Sequence, residues 1–229
     1  MSKKIPLFVI LFFVFVPVFV FAHQPRLVEG NFIEVKNPEI SQAFYGELAG
    51  EPAYYKIESD KPFNLYVGIL VPDIPDIGKN VSAEIYLEKE GQKELLALLD
   101  GLNHSWPGYH EEFANDDYFW GPEFRDENAE EFIPKGIRVE SGVYLVKVFS
   151  PDNQGKYVFV VGEKEEFPAG EIINTIKILP KLKSDFFGKS AWSAFFNRIG
   201  LFLIIPLLII IAVFSLLLAL IIKKYHKTY

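Results

Sequence analysis

Residues 142–161 read GVYLVKVFSPDNQGKYVFVV. Val143 to Phe149 and Tyr157 to Val161 are rich in β-branched and aromatic side chains. Such residues fit a pleated, half-buried surface. Between them stands Ser150-Pro151-Asp152-Asn153-Gln154-Gly155. Proline presets φ, Asp and Asn bond their own backbone, and glycine accepts positive φ. Two strand-like runs joined by turn chemistry predict a β-hairpin. The same signals recur upstream in Phe32 to Lys36, Gln42 to Leu48 and Ala53 to Glu58, and Phe63 to Val71 is a longer apolar run. In Ser82 to Glu88, Ala83, Ile85 and Leu87 alternate with Ser82, Glu84, Tyr86 and Glu88, the period of a half-buried strand. Glu94 to Leu99 is a further strand candidate. Asn37-Pro38, Pro72-Asp73, Pro75-Asp76 and Glu90-Gly91 punctuate the series. Many short strands separated by turns predict a mainly β domain over residues 23–164, an antiparallel β-sandwich.

Several of these strands carry a tyrosine in one setting. Tyr54-Tyr55-Lys56-Ile57 precedes Pro62-Phe63-Asn64-Leu65-Tyr66-Val67, and Gly142-Val143-Tyr144 and Gly155-Lys156-Tyr157 open the last two strands. This pattern resembles the bacterial pre-peptidase C-terminal type of jelly-roll domain. It covers about a third of the domain, mostly its two ends. The segment from Leu99 to Pro134 is not part of the pattern. The resemblance implies a β-sandwich accessory or binding module.

Two segments fall outside a globular pattern. Ser2, Lys3 and Lys4 precede a uniformly apolar run, Ile5 to Ala22, broken by Pro17 and ending in Val20-Phe21-Ala22. That order predicts a secretory signal peptide over 1–22, cut after Ala22; the alternative is an uncleaved N-terminal anchor. Gly200 to Ile222 holds no charge. At about 1.5 Å per residue such a helix crosses a hydrocarbon core of about 30 Å, which predicts a transmembrane helix over 199–222. One proline, Pro206, is tolerable there. Lys223, Lys224 and Lys227 then form a basic tail, 223–229, and cytoplasmic flanks favour such residues. Both ends place the middle of the chain outside the cytoplasm, at a cell surface or in a periplasm.

Between domain and anchor, residues 165–198 read as a helical connector. Ile172, Ile173, Ile176 and Leu179 share one face of a short amphipathic helix that Pro180 ends. Ser184-Asp185 would cap a second helix carrying Phe187, Ala191, Trp192, Phe195, Phe196 and Ile199 toward the bilayer. The connector reads as a stalk or as a surface-lying signal carrier.

The chain has 23 Lys and Arg against 30 Asp and Glu. Without Lys3, Lys4 and the three tail lysines, residues 23–198 keep 18 basic and 30 acidic side chains, a net charge of −12. That balance excludes nucleic acid and anionic lipid as ligands of this domain and favours cations or basic surfaces. There is no cysteine, so no disulfide supports the fold and no lipidated cysteine anchors it. Asn80-Val81-Ser82 and Asn103-His104-Ser105 fit the N-glycosylation acceptor pattern.

The densest polar segment runs from His104 to Glu131, with acidic and aromatic residues interleaved. Asp116, Asp117, Glu123, Asp126 and Asn128 offer oxygens for calcium, though without EF-hand spacing; the alternative is a solvated acidic loop. Trp106, Tyr109, Tyr118 and Trp120 would form an aromatic platform for a glycan or peptide, or else a minor core beneath the loop. Cleavage after Ala22 would leave His23 as a free N-terminus that chelates copper with His104 and His110. Enzyme motifs are absent: no Gly-x-Ser-x-Gly, His-Glu-x-x-His or phosphate loop is present. Paired carboxylates such as Glu111/Glu112 would be the residues of a carboxylate-dependent hydrolase. The expected function is therefore non-enzymatic: a membrane-anchored binding or structural module for a protein, glycan or cation, with a copper- or calcium-binding protein as the alternative.

Overall fold

The computed structural model describes residues 23–226. The expected signal peptide, 1–22, and the last three tail residues, 227–229, lie outside the described residues. The described residues form thirteen strands: β1 Gln24–Leu27, β2 Phe32–Val35, β3 Gln42–Ala49, β4 Ala53–Ser59, β5 Phe63–Leu65, β6 Val67–Pro72, β7 Ser82–Lys89, β8 Gln92–Leu99, β9 Gly108–Glu111, β10 Asp116–Phe124, β11 Ile137–Val139, β12 Gly142–Phe149 and β13 Gln154–Val161. Two α-helices follow, α1 Ala169–Lys181 and α2 Arg198–His226.

The strands build a mainly β sandwich. A six-stranded sheet has the order β1-β3-β13-β6-β10-β9, a five-stranded sheet the order β2-β4-β12-β7-β8, and β11 and β5 form a small third ladder. Pairing is antiparallel except at two edges, where β1 joins β3 and β2 joins β4 in parallel.

The predicted hairpin at residues 143–161 does not form. β12 lies between β4 and β7 in one sheet, whereas β13 lies between β3 and β6 in the other. The turn therefore carries the chain across the core as an arch. Ser150 Oγ fixes it, accepting from Gln154 N at 3.1 Å. Alternating strands with turn residues between them fit a hairpin and an arch equally well, because both present one buried face.

Inward-facing alternates of the two sheets make the main core. Phe44, Tyr55, Ile57, Ile69, Ile85, Tyr144, Val146, Tyr157 and Phe159 are all buried. Tyr55 stacks on Phe159 with centroids 4.0 Å apart. Its hydroxyl meets that of Tyr157 at 2.8 Å, so neither buried oxygen lacks a partner. Gly46, opposite Tyr157 in the ladder, must lack a side chain, because a Cβ there would lie 2.6 Å from the Tyr157 ring.

The long apolar run splits at Tyr66. Residues 63–65 pair with β11, and β6 enters the six-stranded sheet. All six residues of β6 are buried. The cause is a third layer: residues 179–194 pack on the outer face of that sheet, over Ala43, Leu70, Val158 and Val160. A strand covered on both faces reads as continuous apolar sequence rather than as alternation.

This layer corrects the reading of the connector. Ile173 and Ile176 are exposed, and the buried stripe of α1 runs through Thr175 and Leu179. Pro180 lies inside α1 instead of ending it. Ser184 and Asp185 sit in a π-turn, Leu182–Phe186, and cap nothing. Residues 191–195 form a short 3-10 turn rather than the start of a long helix. α2 is 29 residues long, with large apolar side chains exposed along it, Leu207, Ile211, Phe214 and Leu218 among them. Counted over the described residues alone, no helix is long and apolar enough to cross a membrane; part of α2 stands outside that count.

Candidate functional site: the hairpin and the connector

The segment expected to be an acidic loop is instead a hairpin. β9 and β10 pair with Asp116 opposite Glu111 and Tyr118 opposite Tyr109. The missed signal is the period of two in Asp116, Tyr118 and Trp120, all buried, with Asp117 exposed between the first two. Charges at Asp116 and Asp117 hid it.

The hairpin turn is built from its own backbone. Asn115 takes a positive φ of 57°, a conformation that asparagine tolerates better than most residues. Glu111 accepts from Phe113 N at 2.9 Å and Ala114 N at 2.6 Å. Burial raises the pKa of its carboxyl, and those two amides pull it back down. The turn thus faces the connector with a fixed shape.

Four connector side chains join them: Lys183, Lys189, Asn197 and Arg198. Asp116 and Lys183 are both almost wholly buried, and Lys183 Nζ donates to Asp116 Oδ2 at 2.6 Å and to Ala114 O at 2.7 Å. Lys189 Nζ donates to Asp116 Oδ1 at 2.9 Å. Asn197 Nδ2 donates to Ala114 O at 2.9 Å, while its Oδ1 accepts from Gly200 N at 2.8 Å. The last bond is the N-cap of α2, so one side chain both starts that helix and ties it to the hairpin. Arg198 pairs with Glu112 beside it. Gly200 allows this closeness, since a Cβ there would lie 2.4 Å from the Phe195 backbone.

Desolvation lowers the pKa of Lys183, and the Asp116 carboxylate opposes that. Around the polar joint lies an aromatic collar. Tyr45 meets Phe186 at 5.1 Å, Tyr118 meets Phe187 at 5.6 Å, and Trp120 meets Tyr109 at 4.9 Å and Phe132 at 5.1 Å. Leu179, Leu182, Phe186 and Phe187 are buried here. At about 1.5–3 kcal/mol per large apolar side chain, they hold the connector down by roughly 6–12 kcal/mol of transfer free energy.

The predicted platform residues are thus packed rather than presented. Trp106, Tyr118 and Trp120 are buried and Tyr109 is half-buried. Trp106 Nε1 donates to Gly101 O at 2.7 Å, and its ring lies over Gly121, where a Cβ would meet it at 2.6 Å. A ring covered on both faces cannot stack on a ligand.

The predicted metal ligands are not gathered into one site, although His110 and Asp117 meet. His23 is in contact with Ser41 Oγ and precedes β1, while His110 lies on β9. These strands are the opposite edges of a six-stranded sheet, about 24 Å apart at the usual strand spacing. His104 packs edge-on against Trp106. His110 pairs with Asp117 at 2.7 Å. Glu123 accepts from Tyr66 Oη at 2.5 Å and pairs with Arg125 at 3.0 Å. Asp126 pairs with Lys135 at 2.8 Å, which holds its carboxyl down at about 2. Among the described residues no group of three or more His, Asp and Glu side chains is placed to hold a metal ion. The Glu111/Glu112 pair is likewise divided between the turn amides and Arg198. Composition suggested an oxygen-rich site; the fold has matched these carboxylates with cations and amides of the chain.

No family model matches the sequence, and no curated protein matches it. Among solved structures, the chain is similar to the pre-peptidase C-terminal domain of a collagenase from Bacillus anthracis. The two are 12% identical, with 61% of this chain and 95% of that chain covered and a TM-score of 0.29. It is also similar to a β-glucosidase from Paenibacillus barengoltzii, at 13% identity over 60% of this chain and 13% of that chain, with a TM-score of 0.21. The first is the type of domain that the Gly-x-Tyr strands resemble.

Proposed function

We propose that this chain is a membrane-anchored, extracytoplasmic structural and binding module. Its β-sandwich is held at a fixed attitude on the anchor and takes a protein as its ligand. The observation that carries this reading is the joint: Asn197 caps α2 and bonds the β9–β10 turn in the same side chain. A sandwich on a loose tether would not need it.

The anchor itself is supported by residues 200–222, an uncharged stretch inside a helix on which Leu207, Ile211, Phe214 and Leu218 are exposed. Three lysines follow it and suit a cytoplasmic flank. Beside the start of α2, Trp192 and Phe196 are strongly exposed, as are Ile173 and Ile176 on α1. The amphipathic ring of Trp192 suits the headgroup level, and the apolar side chains beside it suit the acyl boundary. A protein ligand suits a sandwich in which Trp106, Tyr118 and Trp120 are buried rather than presented as a stacking platform.

The absence of cysteine makes the topology directly testable. Asp60→Cys lies in an exposed turn, and Thr228→Cys lies in the tail. With the full chain in cells, an impermeant maleimide should label position 60 in intact cells and position 228 only after lysis. An alkaline carbonate wash should leave the chain in the membrane pellet. Release by carbonate, or equal labelling at both positions, would refute the reading.

A further inference from the structure

Four strands end the two large sheets. β1 is tied to α1 through Arg26 and Glu171 at 2.7 Å, and β2 and β9 are only four residues long. β8 is different. It is eight residues long and pairs with β7 alone. Among the described residues, no backbone group of 92–99 bonds to anything beyond that ladder. Leu95, Leu96 and Leu98 are 54%, 43% and 54% exposed, and Leu102 just past the strand is 63% exposed. An exposed apolar edge with free N–H and C=O groups is a template for another strand.

The sequence of β8 is complementary to itself. Facing follows from the pairing with β7: Leu95 stands opposite Tyr86 and Leu98 opposite Glu84, both on the outer face, while Ala97 stands opposite the buried Ile85. Leu96 is the extra residue of a bulge between them. An antiparallel copy laid along β8 with Leu95 facing Leu98 of the other chain keeps outer residues opposite outer ones. It sets the extra Leu96 opposite Ala97 on both sides of the two-fold axis. The same register puts Lys93 of each chain opposite Asp100 of the other. Asp100 is held there by Leu102 N at 3.0 Å and by Asn103 Nδ2 at 2.6 Å. Leucine pairs at the centre and opposite charges at both ends favour this arrangement, since cross-strand apolar and ionic pairs stabilise a ladder. A one-residue slip would send the leucines to the wrong face.

We infer that β8 is a homodimer interface, where two copies of this chain join their five-stranded sheets into one continuous ten-stranded sheet. The two-fold axis relates identical patches, the commonest form of closed assembly. This goes beyond the anchored-module reading and does not require it, because a chain extracted without detergent could be tested in the same way.

The test uses the full chain in detergent and in lipid bilayers. Residues directly opposite in an antiparallel ladder have Cβ atoms about 4.5–5.5 Å apart, close to disulfide geometry. Under mild oxidation, the L95C/L98C double variant should become a covalent dimer. A mixture of L95C and L98C chains should give the mixed dimer. L95C alone should cross-link at least tenfold less, because the two positions 95 lie about 10 Å apart along the strand. Both leucines are exposed, so L95K/L98K should melt like the parent yet lose the dimer in mass photometry. The proposal is overturned by a monomeric parent chain in bilayers or by a dimer that survives L95K/L98K. Cross-linking that favours F32C on the opposite edge would also overturn it and would assign the contact to β2.

Discussion

Replacing Asp116 by asparagine removes one charge from the joint and almost no volume. In the parent, the carboxylate bonds Lys183 through one oxygen and Lys189 through the other, and it is almost wholly buried. Asparagine leaves Lys183 as a buried ammonium bonded to Ala114 O and an amide oxygen, with no carboxylate in contact. Breaking a buried pair in this way costs about 3–5 kcal/mol. For a domain of this size, about 2–4 °C of melting temperature follows each kcal/mol, which gives a fall of about 6–20 °C. The loss should appear first in the second core, because Tyr118 and Phe187 pack beside the pair. Near-ultraviolet circular dichroism of the full chain in detergent would report it, with the α2 signal at 222 nm as an internal control. Lys183→Met in the same chain should restore most of the stability, since Lys189 is 38% exposed and can turn to water. The double variant then melts above Asp116→Asn alone. If Asp116→Asn melts within about 1 °C of the parent, or if the two substitutions add, Lys183 is not held by charge and the account of the joint fails.

Three further outcomes are expected. Asn197→Ala removes the cap of α2 and its tie to Ala114, which should cost about 1 kcal/mol; hydrogen exchange should speed up at residues 198–201 and not in the strands. Tyr55→Phe leaves the buried Tyr157 hydroxyl without its 2.8 Å partner and should cost about 1–3 kcal/mol, whereas Tyr55→Phe with Tyr157→Phe should recover part of that loss in a denaturant series. Burial holds His23 down at about 4 against an ordinary 6.5. The unfolded chain therefore binds its proton first as pH falls from 7 to 4, and stability drops through that window by at most about 3 kcal/mol. His23→Gln should flatten the window in melts run at pH 4.5 and 7.5.

Strand identity was legible where one face is buried. Ala83, Ile85 and Leu87 alternate because β7 has a core on one side only. β10 was not legible, because its buried face opens with Asp116, an acid that burial excludes unless cations arrive from 67 and 73 residues away in sequence. Local sequence cannot show such partners. The arch between β12 and β13 failed for another reason: both of its arms have the period of two, and nothing in Ser150 to Gly155 says which sheet the second arm joins. The aromatic and acidic residues of 104–131 were correctly singled out as unusual. Their composition could not distinguish a ligand site from a joint, since a ring and a carboxylate serve either. Asn197-Arg198-Ile199-Gly200 carries a cap signal, an asparagine three residues before a glycine amide at the head of an apolar run.

The six-stranded sheet has two apolar faces, and the chain reaches them at different times. Its inner face can close as soon as β13 is complete at Val161. Its outer face needs Leu179, Leu182, Phe186, Phe187 and Ala194, and these are synthesised after the sandwich is complete. Until they emerge, Ala43, Leu70, Val158 and Val160 stay wet. The protein therefore has a half-finished state with a sticky side, lasting from the end of the sandwich until the head of α2 is made. A fragment ending at residue 164 would be stranded in that state.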